Sequence, residues 1–203
     1  MMLIIFARND TRSKMVTSAA LLLREHGVGA TSFARVLEHS SSPRGSIGHH
    51  FPGGKREMVA DAVRWAGGVA SAAMRHALER GDTPAELFEM VCGFYRRALV
   101  DSDFAAGCPV GAVAHDAFRD APLRDAADEV FNDWRAILER SLTAAGHDAT
   151  QARGLAELCI AGLEGALMLA RVDRTTTPLD RVEEQLTTLL AARPASHASA
   201  KRS

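Results

Sequence analysis

Ser40–Lys55, SSSPRGSIGHHFPGGK, is the stretch on which the reading of this chain turns. It is rich in serine, glycine and histidine, carries a cation near each end, and lies between two segments with helical periodicity. Pro43 disfavours helical geometry in the residue before it, so a helix entering from the N-terminal side stops by about Ser42. Pro43 itself suits the first turn of a new helix, where its missing N–H costs nothing. The third helix is therefore expected over roughly Arg44–His50, with Phe51 anchoring its end. Gly45, lacking Cβ, is expected to let this helix approach its predecessor closely. Ile47 and Phe51, four apart, face inward, and Arg44, Ser46, Gly48 and His49 face outward.

Upstream, Met15, Val16, Ala19, Leu22 and Leu23 recur at helical spacing between Thr11 and Glu25, and Gly27 follows as a stop. Thr31 and Ser32 offer an N-cap for a shorter helix whose inward residues are Phe33, Val36 and Leu37. Two short helices joined by a tight turn, the second polar and basic, make a helix-turn-helix. The whole chain, at net charge -1 and pI near 6.7, lacks the basic character of a nucleic-acid binder. Its N-terminal part does not: residues 1–55 hold seven Lys/Arg against three Asp/Glu and are basic, whereas residues 56–203 hold seventeen against twenty-two and are acidic.

The rest is helix after helix, so the fold class is all-α with about nine helices, rich in Ala, Leu, Arg and Glu. A long pattern from Lys55 to about Arg80 is interrupted at Gly67 and Gly68, a bend or a close-packing site. Thr83-Pro84-Ala85-Glu86 is a capping-box start, Pro109 opens a short helix, Leu123–Leu142 is cleanly amphipathic, and Asp148 with Gln151 caps the eighth. Thr177-Pro178 starts a ninth. The tail 193–203 has nothing to bury and is expected to be disordered. Cys92, Cys108 and Cys159 are too widely spaced for a zinc site or disulfide framework and fit a reducing compartment. MMLIIFA lacks the basic flank and cleavage site of a signal peptide, and no run reaches membrane-span length. The expectation is a cytoplasmic protein with a frayed start over residues 1–10, no membrane contact, no cofactor and no metal.

The pattern T-R-x-x-M-V-x-x-A-A-x-L-L-x-x-x-G at Thr11–Gly27, T-S-F at Thr31–Phe33 and P-R-G-S-I-x-H-H-F-P-G-G-K at Pro43–Lys55 resembles the DNA-binding domain of TetR-type transcriptional regulators. The Pro-Arg-Gly-Ser turn and the doubled glycine before Lys55 resemble in particular the branch typified by LmrA and YxaF. GCPVGAVAHDAF, from Gly107, and the Trp-bearing seventh helix are similar to the regulatory domain of that branch. The resemblance implies an N-terminal three-helix DNA-binding domain over 1–55, an effector-binding and dimerisation bundle over 56–192, and no catalytic residues. It implies a homodimer on double-stranded operator DNA with two related half-sites, released by a small apolar or aromatic effector. The chain departs from the family at Ser41 and Ser42, where a glycine and an apolar residue are usual, and at Gly48, where a phosphate-contacting tyrosine is usual. These departures predict a looser turn and one backbone contact fewer.

For Arg44 two roles stay open: bidentate pairing with guanine O6 and N7, or phosphate contact. Pro43, Ser46 and His49 belong to the same surface. Thr31, Ser32 and Lys55 are phosphate candidates, with Thr31 or Ser32 as a plain N-cap the alternative. His49 and His50 are adjacent, so they point about 100° apart and do not chelate one metal; His50 contacts phosphate or packs. The implied effector pocket draws on Trp65, Phe94, Cys108, His115, Phe131 and Trp134, against a solid core. Cys108 at a helix N-terminus is either a low-pKa thiol or a buried small hydrophobe. The competing function is an α-helical enzyme using Cys108 and His115. Ala161, Gly162, Gly165 and Ala166, with Leu179, Val182, Leu186 and Leu189, are the expected two-fold interface, unless the eighth helix is simply central to a monomer.

Overall fold

Asp10 opens the first helix, its carboxylate accepting the backbone N–H of Ser13 at 2.9 Å, one of the orphan donors of a helix start. The computed structural model describes residues 10–192, which form nine α-helices and no strand. The expectations for the start, 1–9, and the tail, 193–203, lie outside the described residues. No described helix is long and apolar enough to cross a membrane.

α1 (Thr11–Ala30), α2 (Phe33–Ser40) and α3 (Ser46–His50) close around Met15, Leu23, Val36 and Phe51. α1 is broken at Gly27 (φ 73, ψ -179), a backbone open essentially to glycine alone. Ser41 ends α2 in the left-handed conformation (φ 52, ψ 37). Its N–H donates to the Glu38 carbonyl at 3.2 Å, and the Ser42 N–H to Leu37 at 3.0 Å. The turn is thus closed, not loose, and Ser41 supplies the geometry a glycine adopts freely. A side chain there costs about 1–2 kcal/mol, whereas glycine loses about 0.5–1 kcal/mol more entropy on folding. Ser41→Gly is expected to raise the melting temperature by roughly 1 to 4 °C; thermal unfolding followed by circular dichroism checks it.

Two expectations for the recognition segment are corrected. α3 begins at Ser46, capped by the Gly45 backbone alone, so Pro43 and Arg44 occupy the turn before the helix. Gly45 has open space where a Cβ would stand, so it makes no close approach. Ile47 is half-buried and Phe51 is 1% exposed, with the Phe33 ring 6.4 Å away.

α4 (Gly54–Arg80) starts where the Gly53 N–H donates to Glu57 Oε2 at 2.7 Å and Gly54 adopts φ +76. The doubled glycine serves this corner. α4 then runs unbroken for 27 residues, about 40 Å, so the expected domain boundary at residue 55 falls in its first turn. α5 (Pro84–Asp101) and α8 (Ala149–Asp173) carry the capping boxes of Thr83 with Glu86 and Asp148 with Gln151. α6 (Pro109–Asp116), α7 (Ala121–Ala144) and α9 (Thr177–Ala191) complete the order. α4 packs along α7, α6 wedges between α1 and α7, and α8 bridges α7 and α9. Gly67 is the close-packing site: a Cβ there would overlap Val130 of α7. Gly68 faces open space.

Candidate nucleic-acid interface and ligand pocket

The helix-turn-helix presents Pro43, Arg44 and His49 to solvent, with His50 half-buried behind them. The His50 carbonyl accepts Arg12 Nε at 3.3 Å, and the two imidazoles meet edge to face at 4.9 Å. Among the described residues no carboxylate pairs with Arg44 or with Arg35, an exposed cation on α2 that sequence reasoning passed over. Ser32 caps α2, accepting the Arg35 N–H at 3.3 Å. The side chain of Ser46 lies outside the described residues, and Gly48 is exposed with open space beyond it.

Two phosphate candidates are corrected. Thr31 is 0% exposed, and its hydroxyl donates to the Gly27 carbonyl at 2.8 Å, so it repairs the break in α1 instead of reaching a duplex. Lys55 Nζ donates to the carbonyls of Val28 at 2.6 Å and Gly29 at 3.3 Å. Two of its three donors are thus spent on the C-terminus of α1.

This end of α1 is held from several sides. Asp116, at the end of α6, accepts the Val28 N–H at 2.9 Å. Arg56 pairs with Asp120 at 2.8 Å. The Gly107 N–H donates to the Arg24 carbonyl at 2.8 Å, and Arg171 of α8 to that of Glu25 at 3.3 Å. The helix-turn-helix and the bundle therefore share hydrogen bonds at one joint.

Beside that joint, a pocket of about 800 Å³ including its open mouth lies between α1, α4, α5, the start of α6 and α7. Trp65, Phe94 and Trp134 line it, as expected from sequence. Cys108, His115 and Phe131 do not. His115 is exposed, and Phe131 stacks edge to face against Trp134 at 5.6 Å from outside the lining. Cys108 is buried, its sulfur accepting the Gly111 N–H at 3.4 Å. Burial, and then the neighbouring Glu164 carboxylate, push its thiol well above the ordinary value. Desolvation outweighs the helix N-terminus, and Cys108 is no thiolate. The cysteine–histidine enzyme thus lacks both an activated nucleophile and a buried base. Sequence reasoning missed Arg24 and Tyr95 in the lining. The signal available was helical phase: Ala20, Leu21 and Arg24 share one face of α1. Among the described residues no His/Cys/Asp/Glu cluster is arranged to hold a metal ion.

The expected pairing residues divide by helical phase. Ala166, Leu179 and Leu186 are buried, and a Cβ on Gly162 would meet Leu186 at 3.0 Å and Val182 at 3.3 Å. These join α8 to α9 within one protomer, a correction to their assignment between protomers. Ala161, Gly165 and Leu189 face outward. With Leu158, Met168, Leu169 and Val172, Ala161 and Gly165 form a stripe along α8 at spacings of three and four.

The geometry has counterparts. Residues 84–185 match the family described as "Transcriptional regulator LmrA/YxaF-like, C-terminal domain". A helix-turn-helix-type transcriptional regulator of Mycobacterium tuberculosis is 43% identical over 187 residues, covering 89% of this chain and 94% of its own. The chain belongs to the LmrA/YxaF-like transcriptional regulators. LmrA of Bacillus subtilis, another helix-turn-helix-type regulator, is 27% identical to it over 187 residues, 89% of this chain and 97% of LmrA. The crystal structure of a TetR transcriptional regulator from Legionella pneumophila shares the LmrA/YxaF-like regulator's fold at a TM-score of 0.82 and 21% identity, covering 90% of this chain and 98% of its own.

Proposed function

We propose that this regulator is a dimeric, ligand-responsive repressor that works on double-stranded DNA in the cytoplasm. Its helix-turn-helix pair sits on an operator of two related half-sites, as dimers of this kind do. Arg44, ahead of α3 and unpaired by any described carboxylate, reads or anchors the duplex with Pro43, Ser46 and His49. Ser32 and His50 flank them, and Lys55 orients the module through α1. The observation that supports this reading best is that α1 belongs to both functions: it packs against the recognition segment and supplies Ala20, Leu21 and Arg24 to the pocket. A small, largely apolar effector filling that pocket changes how α1 sits against α6. The operator then loses affinity by the ratio of effector binding to the two arrangements. The stripe on α8 with Leu189 pairs the two copies.

Fluorescence anisotropy on duplexes from the DNA upstream of its own gene tests the reading. The expected result is tighter binding to one such duplex than to a scrambled one at physiological salt. Equal affinity for both would remove the operator function.

A further inference from the structure

Resting on the reading of the pocket as an effector site, we infer that its occupant is an amphipathic organic anion: an apolar body of aromatic or aliphatic carbon with one carboxylate-type headgroup, received by Arg24. Among the described residues that line the pocket, Arg24 is the only charged one. Two other polar side chains of the wall are already engaged. Trp134 Nε1 donates to the Gly67 carbonyl at 3.3 Å, and the Tyr95 hydroxyl bonds with the Cys108 thiol. A charged ligand group entering here meets its only opposite charge in the wall at the Arg24 guanidinium.

Arg24 is under-partnered for a covered cation. Its side chain is 19% exposed, Nε is sealed from solvent without a hydrogen bond among the described residues, and its one ion pair among them, to Glu25 Oε1, is 3.5 Å long. A charge-assisted hydrogen bond is about 2.7–2.9 Å, so Glu25 leaves the fork of donors largely unsatisfied. Planar donors of this kind match a carboxylate bidentately. A second cation lies near. Arg171 Nη1 lies 3.2 Å from where a Cβ on Gly107 would stand, beside the pocket, whereas Glu164 reaches toward Gly111 and Cys108 and is absent from the lining. Because Arg24 sits on α1 and its carbonyl holds Gly107, the headgroup docks directly on the joint between bundle and helix-turn-helix.

Both tryptophans of the chain, Trp65 and Trp134, line the pocket, so intrinsic fluorescence reports occupancy. The probes are naphthalene-2-carboxylate and its neutral amide, titrated into the full-length dimer at neutral pH. The carboxylate is expected to bind about tenfold tighter or more, the gain of hydrogen bonds to a charged group. Arg24→Met should erase that preference, and Arg24→Lys should keep part of it. Equal binding of the two probes to the native protein overturns the anion inference and leaves the pocket standing; that comparison needs no variant to fold. If neither probe alters the fluorescence or the melting temperature, the pocket reading falls and the inference with it.

Discussion

Met168→Asp is expected to split the dimer and lower operator affinity by about two orders of magnitude or more. Met168 is 62% exposed and Val172 76%, in the C-terminal half of a stripe that runs from Leu158 along one side of α8. The opposite side of the same helix, Cys159, Leu163, Ala166, Leu167 and Ala170, is buried. A helix this apolar on both faces has a partner for each. In a two-fold pairing each copy's aspartate enters a desolvated surface near its own symmetry mate, where two like charges meet. The lone monomer keeps its own core, since Met168 makes none of it. Analytical ultracentrifugation should show a folded monomer. Anisotropy should show loss of the advantage of binding two half-sites at once. A dimer with unchanged affinity would mean that this face pairs with something else.

Gly27→Ala should destabilise the fold by about 2–4 kcal/mol. The backbone at Gly27 costs about 1–3 kcal/mol with a side chain. A Cβ there would also overlap the Asp116 carboxylate. If Asp116 swings away, the Val28 N–H loses its acceptor, worth about 1 kcal/mol. The expected drop in melting temperature is roughly 5 to 15 °C, read by circular dichroism. With Asp116→Ala already in place, Gly27→Ala should cost less than it does alone, because the overlap and the lost bond are shared between the two changes. An unchanged melting temperature for Gly27→Ala would show that α1 tolerates a continuous path there.

Much of this architecture is legible in single residues because their chemistry is local. Thr83 with Glu86, and Asp148 with Gln151, satisfy helix starts wherever they occur, and Pro43 stops α2 whatever lies around it. Other features depend on what is brought near from afar. Ser41 takes a left-handed conformation that its identity does not announce, and α3 begins two residues later than Pro43 implies because the turn is closed by carbonyls of α2. Lys55 and Thr31 read as phosphate ligands, but the break at Gly27 leaves carbonyls that claim both. Gly162 and Ala161 are neighbours of similar size, and only the position of α9 assigns one inward and the other outward. Arg24 has no local signal that marks it, and its place in a pocket wall comes from α4, α5 and α7 lining the same cavity.

The three cysteines are buried at three separate places: on α5, ahead of α6 and on α8. Desolvation pushes Cys92 and Cys159 up to about 12 and Cys108 well above its ordinary value. A thiol reagent therefore meets almost no thiolate in the closed molecule, and each sulfur reacts only when its own helix opens. The chain thereby carries three internal clocks, and the order in which they are modified ranks the opening free energies of the helices around the pocket and the pairing face.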